Sequence, residues 1–250
     1  MPTTYTHQQA IDHAKAFLRN IPTQDIEEIA ADRVYSQIWV AFPWPWTLSQ
    51  LTAIALTDDV QDYSIAAADV TTGFYRLVYA RIVRTDITPD EFRELIITDF
   101  LPPELTRKGG LEQIRYIARD KRSGLLRLEM AVSEPAGVTL EIQGDFQRTP
   151  TKVDNTVLSN TLTLPDHYFP VYVEGIKWQF YRFADDPRAG VAQVDGRGNK
   201  VYTGQLGTFM GMLDDMKRAE DTVDQQAGMF PDDPIGGFRG GDLGPRVFGW

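Results

Sequence analysis

The spacing of apolar residues changes twice along this chain of 250 residues. Apolar residues recur every three or four positions over residues 5–45, every two positions from about residue 47, and every three or four again after residue 164. Helices, then strands, then helices predict an α+β fold, because βαβ units would alternate the two periods. We therefore predict a helical module whose N- and C-terminal helices pack together (1–45 and 164–222), an inserted β domain (46–163) and an extended C-terminal arm (223–250).

Two helices are predicted at the N-terminus. Thr6 and Gln9 have the spacing of a capping box, and Asp25 and Glu28 repeat that spacing. Pro22 lies between the two helices and interrupts the helical pattern. A helix that buries one face should follow the second capping box, because one apolar stripe runs along it: Ile26, Ala30, Val34, Ile38 and Ala41.

The central region has the composition and alternation of strands. Phe74–Arg84 is rich in aromatic and β-branched residues, as a largely buried strand should be. Residues 91–97 favour another strand, with a short helix starting at Thr88 as the alternative. Residues 126–132 and 138–142 alternate apolar and polar residues on either side of a turn, which predicts a hairpin. Strands of this length, separated by turns, predict an antiparallel sandwich or barrel.

Two further helices are predicted after the strands. Residues 169–183 carry apolar residues at helical spacing, with Pro170 in the first turn, where proline is tolerated. A second helix should span about 200–218 and end on basic residues that suit its dipole. The polar segment 195–199 reads as a plain turn between them.

Charge and cysteine content limit the possible classes of protein. The net charge of −10 argues against a protein that grips nucleic acid through its phosphates, and against one that adheres to anionic membranes. An acidic balance commonly means only solubility, but it equally suits a surface past which nucleic acid slides. The chain has no cysteine, no apparent secretory signal and no long apolar run, which fits folding in a reducing cytoplasm.

No residue pattern points to catalysis. The histidines His7, His13 and His167 lack the spacing of metal ligands, and Asp58 and Asp59 favour a turn. The chain has neither the glycine-rich phosphate-binding motifs nor the nucleophile elbow of hydrolases. We therefore predict no catalytic residue, no metal site and no cofactor, and a protein that is not an enzyme. A hydrolase with a carboxylate pair hidden in the β domain remains an open alternative.

Three tryptophans lie close together at the boundary between the first helices and the strands. Trp39, Trp44 and Trp46 could stack on sugar rings, which would suit a glycan-binding protein. Large apolar residues more often seal such a corner, so we expect these indoles to belong to the core.

The last 23 residues, 228–250, combine seven Gly and three Pro with four large aromatics. Glycine and proline at this density prevent helices and strands from propagating, whereas aromatic side chains bury large areas at interfaces. We interpret the segment as an arm that becomes ordered on a partner; a frayed terminus is the alternative. Its predicted partner-binding residues are Phe230, Phe238, Arg239, Arg246, Phe248 and Trp250.

Two stretches of the chain resemble the head-to-tail adaptor proteins of tailed bacteriophages. The first runs from Trp46 through Tyr63. In the second, a turn at residues 135–137 leads into the strand VTLEIQGDFQRTP, then Asp154, then LPDHY at the start of a helix. The chain has Phe146 where this family would lead us to expect Tyr. The resemblance covers about residues 24–220.

The resemblance implies a virion structural protein with no catalytic site. Copies would form a ring, usually of twelve, between the portal protein and a tail or nozzle protein. Genomic DNA would pass through the channel without specific binding, and the C-terminal arm would dock into the portal. The protein would be assembled in the host cytoplasm and would lie in the virion neck, away from membranes. A tail-associated β-rich protein that binds glycans or a receptor is the alternative.

Overall fold

The computed structural model describes residues 4–16, 18, 22–88, 90–102, 107–120, 123–133 and 137–227, with the backbone alone for 221–227. The α-helices of these residues are α1 (His7–Lys15), α2 (Gln24–Ala41), α3 (Ala67–Thr72), α4 (Phe169–Phe183) and α5 (Gly204–Ala227). The strands are β1 (Leu48–Gln50), β2 (Ile54–Ala55), β3 (Asp62–Tyr63), β4 (Phe74–Arg84), β5 (Glu91–Glu94), β6 (Ile96–Thr98), β7 (Lys108–Gly109), β8 (Tyr116–Arg119), β9 (Leu126–Leu128), β10 (Ala131–Val132), β11 (Leu140–Arg148), β12 (Ala192–Val194) and β13 (Lys200–Tyr202).

The two N-terminal helices begin in different ways. The predicted capping box starts α1: the Thr6 hydroxyl accepts from the Gln9 N–H, and the Gln9 side chain accepts from the Thr6 N–H. The second predicted capping box is wrong. Thr23 is the N-cap of α2, without a side-chain capping bond, so Asp25 lies inside the first turn. Its carboxylate still favours the helix there, because the N-terminal end of a helix dipole is positive.

Helices α1, α2, α4 and α5 share one hydrophobic core. Gly175 of α4 lies where three of them meet, because a Cβ there would overlap Val34 of α2 and lie 2.9 Å from the Phe209 ring of α5. Two of the helices precede the strands in sequence and two follow them. The innermost residues of this core include Ala10, Ile11, Ala30, Val34, Tyr172, Ile176, Phe209 and Leu213.

A five-stranded antiparallel sheet is built around the pair β4–β11. Its register runs from Arg84 opposite Leu140 to Phe74 opposite Arg148. β5 pairs with the other edge of β4, and both β1 and β2 pair with the other edge of β11. The strand predicted over Phe74–Arg84 is therefore confirmed, at the centre of the sheet.

A four-stranded sheet follows the order β3–β9–β8–β6, in which only the β6–β8 pair is parallel. The remaining described pairs are a short parallel pair, β7–β10, and an antiparallel hairpin, β12–β13. The two large sheets contribute to a second hydrophobic core, separate from the helical one. Its members include Leu77, Ile82, Ile142 and Phe146 from the first sheet and Tyr63, Ile117, Leu126 and Leu128 from the second.

The predicted hairpin of residues 126–132 and 138–142 is wrong. β9 pairs with β3 and β8 in the four-stranded sheet, whereas β11 pairs with β4, β1 and β2 in the five-stranded sheet. Both strands alternate buried and half-buried residues, as predicted. Alternation determines which face of a strand is buried and leaves its partner undetermined, so two adjacent strands in sequence can join different sheets.

The mixed α+β class is confirmed, and residues 91–97 form β5 and β6 instead of the alternative helix. Residues 200–202 were predicted as helix, but they form β13, so the turn at 195–199 closes a hairpin and α5 begins at Gly204. Helix α5 continues to Ala227, into the segment predicted as arm. Within the described ranges no sheet closes into a barrel, so the predicted barrel is wrong, and the sandwich stays a prediction.

Candidate interaction surfaces

A buried glutamine joins the helical region to the five-stranded sheet. Gln147 of β11 is fully buried, and its Nε2 donates to the carbonyl oxygens of Trp39 (2.6 Å) and Phe42 (2.9 Å) at the end of α2. Its Oε1 accepts from Arg76 Nε at 2.8 Å. In return, Trp39 Nε1 donates to the carbonyl oxygen of Arg148 at 2.6 Å. These contacts (the junction) hold the end of α2 against the sheet, because moving it would leave buried polar groups without partners.

The tryptophans near the junction belong mainly to the core, as predicted. Trp39 and Trp44 are buried, and Trp44 Nε1 donates to the carbonyl oxygen of Ile38 at 2.6 Å. Trp46 is partly buried and stacks on Trp44, with ring centroids 5.2 Å apart. Sugar binding needs exposed indole faces, so the burial of Trp39 and Trp44 disfavours a glycan site formed by this group.

A buried polar pair links α1 to α4. Nδ1 of His7 lies 2.9 Å from the Tyr172 hydroxyl, which also lies 3.3 Å from the carbonyl oxygen of Ala31. Burial lowers the pKa of His7 to about 4, against a smaller opposing effect of Asp32. Burial also raises the pKa of Tyr172. Both groups are therefore neutral at pH 7 and serve as a structural contact between helices.

The hairpin β12–β13, with its flanking residues 191–203 (the exposed hairpin), presents apolar side chains to solvent. Asp195 stabilises its turn, because its carboxylate accepts hydrogen bonds from the backbone N–H groups of Asn199 (2.9 Å) and Arg197 (2.8 Å). These hydrogen bonds lower the pKa of Asp195. A two-stranded hairpin alone is marginally stable in water, so an exposed apolar one is a candidate contact surface. Its exposed valines are Val191, Val194 (68% exposed) and Val201.

A second apolar surface lies on the β region, where β5 is the last strand of one sheet and β6 is the last strand of the other. Phe92 (58% exposed), Ile96 and Phe100 (71% exposed) line it and form the apolar edge. The Arg81 guanidinium lies 5.4 Å from the Phe92 ring centroid. Sheet edges with unpaired backbone groups readily bind another chain, so this edge is also a candidate contact surface.

Two grooves lie on the helical region. The first, of about 530 Å³, is lined by both apolar and polar groups, which include Leu18, Pro22, Ile26, Phe180, Asp186 and Arg188. The second, of about 380 Å³, runs along the N-terminal half of α2 and carries four carboxylates and one ammonium group (the acidic groove). Its lining residues are Asp25, Glu28, Ile29, Asp32, Lys152, Val153 and Asp154.

The residues predicted to bind a partner are not among those that the structure describes: Phe230, Phe238, Arg239, Arg246, Phe248 and Trp250. The histidines have different neighbours: His7 packs against Tyr35 and Tyr172, whereas His13 packs against Phe169. Among the described residues, no group of three or more His, Cys, Asp or Glu side chains could hold a metal ion. None of the described helices is long and apolar enough to span a membrane.

Sequence reasoning missed the exposed hairpin and the acidic groove. The hairpin had a readable signal, because the Asp195-Gly196 dipeptide, typical of hairpin turns, has β-branched residues on both sides. The acidic groove had no such signal, because α2 and residues 152–154 are far apart in the sequence and come together only in the folded chain.

Together these features provide exposed surfaces for contacts with other macromolecules on both the helical and the β regions. No protein-family model and no curated protein sequence matches this chain.

Proposed function

We propose that this chain is a head-to-tail adaptor, a virion structural protein that joins the portal to the tail of a tailed phage. The observation that carries the proposal is the junction at Gln147 between the helical region and the five-stranded sheet. A protein held between two assemblies must keep the orientation of its two contact surfaces, and a buried, fully bonded side chain resists rotation at the joint. The groove of about 530 Å³ on the helical region and the apolar edge on the β region supply one candidate surface on each side.

In the proposed assembly, the helices of neighbouring copies form a ring, for which the sequence resemblance leads us to expect twelve copies. Side surfaces that differ from each other and repeat by rotation produce a closed ring. The β domain, folded as a sandwich, projects toward the tail or nozzle protein. The arm of residues 223–250 docks into the portal through its aromatic residues, which are well suited to anchor an interface.

The charge of the chain agrees with a channel through which genomic DNA passes. A net charge of −10 repels phosphates, so DNA would move past without adhering. The proposal places the protein in the virion neck, after assembly in the host cytoplasm and without membrane contact.

Native mass spectrometry of the full chain, alone and mixed with the portal protein of the same phage, tests the proposal. The expected result is a closed oligomer of one defined copy number, formed either alone or on the portal. An unrelated acidic protein of similar mass, mixed with the same portal, serves as the control. A strict monomer in both samples would reject the adaptor function.

A further inference from the structure

We infer that the exposed hairpin of one copy docks into the acidic groove of the next copy, and that this contact connects neighbours in the assembly. The inference rests on the ring assembly proposed above and identifies the surfaces that form it. The occupant of the groove is a second copy of this chain.

The charges of the two surfaces are opposite. The turn of the exposed hairpin carries one carboxylate, Asp195, and two cations, Arg197 and Lys200, so its positive charges outnumber its negative charge. The Arg197 side chain has no ion-pair partner within the described ranges. In the acidic groove, four carboxylates surround one lysine. Two cations entering this groove would therefore gain favourable electrostatic contacts.

The apolar parts of the two surfaces also match. Ile29 is the exposed apolar side chain of the acidic groove, at 43% exposed, whereas Val153 beneath it belongs to the helical core. On the exposed hairpin, Val194 lies opposite Lys200 in the strand pair, so these two side chains share one face, whereas Val201 lies on the other face. A contact with a small apolar centre and charged groups around it is typical of specific interfaces, because the apolar centre contributes affinity and the charges set the register.

Both surfaces occur on every copy, and they differ from each other. Such a contact is heterologous, so each copy can donate its hairpin to one neighbour and accept the hairpin of another. A two-fold contact would instead stop at a dimer. The predicted assembly therefore grows beyond two copies, and it closes into a ring when the rotation between neighbours divides a full turn.

Disulfide cross-linking tests the contact with low background, because the chain has no native cysteine. We expect the double variant Val194→Cys with Ile29→Cys to give a ladder of dimers, trimers and larger species under mild oxidation. The matched control pairs Val194→Cys with Val70→Cys, an exposed valine of α3 in the β region, and should form no covalent ladder. The absence of a ladder, a ladder in the control, or a disulfide within a single chain would overturn the inference.

Charge reversal provides a second test, by sedimentation velocity of the full chain. Arg197→Glu with Lys200→Glu should weaken assembly at least about tenfold, because like charges then meet in the groove. Adding Asp25→Lys and Glu28→Lys to the same chain should restore assembly. The control Arg218→Glu changes an exposed charge of α5 outside both surfaces and should have no effect. A ring that persists in the hairpin variant would overturn this contact and leave the adaptor function standing, whereas a wild-type chain that never assembles would overturn both.

Discussion

His7 is buried in its neutral form, so acid should destabilise the protein through this residue. Its pKa falls from 6.5 to about 4 on folding, because burial disfavours the imidazolium. The stabilisation is complete above pH 6.5 and is lost as the pH falls toward 4, because the unfolded chain binds a proton that the folded chain does not. The resulting loss in the free energy of unfolding should reach about 3 kcal/mol.

Urea unfolding of wild type and His7→Gln from pH 7 to pH 4 measures this loss. The difference between the two proteins isolates the histidine, because the carboxylates are common to both. His167→Gln makes the same substitution at an exposed position and serves as the control. An equal pH dependence in wild type and His7→Gln would contradict the buried neutral imidazole.

Gln147 should contribute strongly to stability through its hydrogen bonds. Gln147→Met preserves the size of the side chain but leaves the carbonyl oxygens of Trp39 and Phe42 without this donor. We expect a loss of about 2–4 kcal/mol in the free energy of unfolding, measured by urea denaturation. The control is Gln143→Met in the same strand, where the half-buried side chain accepts one bond from Arg81 and the loss should stay below about 1 kcal/mol. Equal losses would show that the junction has no special role.

Two helical glycines should respond to alanine in opposite directions. Gly175→Ala places a methyl group against Val34 and Phe209 in the helical core, which should cost about 1–3 kcal/mol because overpacking forces the helices apart. Gly211→Ala on α5 meets no atom within 4 Å and should stabilise the protein by about 0.5–1 kcal/mol, because alanine favours helix. Thermal unfolding of both variants measures the two effects. Stabilisation by Gly175→Ala would disprove the close contact of the three helices.

The elements themselves were largely predictable, but their partners were not. The strand Phe74–Arg84 and the helices α1, α2 and α4 follow from local spacing, because burial of one face is a local property of the sequence. The pairing of β11 with β4 joins residues far apart in the chain, and it replaced the hairpin that local alternation favoured. β13 was missed because its three residues continue the apolar pattern of the helix that follows.

At the scale of the whole molecule, the sequence likewise predicts single segments, but it does not predict the surfaces that several segments form together. Composition alone predicts that the aromatic arm of residues 228–250 binds a partner, and that interpretation stays a prediction. The acidic groove, by contrast, needs Asp25 and Asp154 on one surface, and only the folded chain brings them together.

Deletion of residues 228–250 tests the arm. The truncated chain should keep its thermal unfolding midpoint within a few degrees, because a segment rich in glycine and proline adds little to a core. It should lose binding to the portal protein in a pull-down. A full-length control with the four aromatics of the segment changed to serine should bind as poorly as the deletion. A truncated chain that fails to fold would assign the segment to the domain itself.

The helical core is built from both ends of the sequence, and this dictates an order of events on the ribosome. Helices α1 and α2 are made first, but α4 and α5, which cover their apolar faces, are made last. At a synthesis rate of about 5–20 residues per second, α4 and α5 are made on the order of ten seconds or more after α2. Val34 and Ile38 lack their packing partners during that time. The β region can pair as soon as β11 has emerged. The nascent chain should therefore fold from its middle outward, and α2 is the segment most exposed to chaperones while it waits.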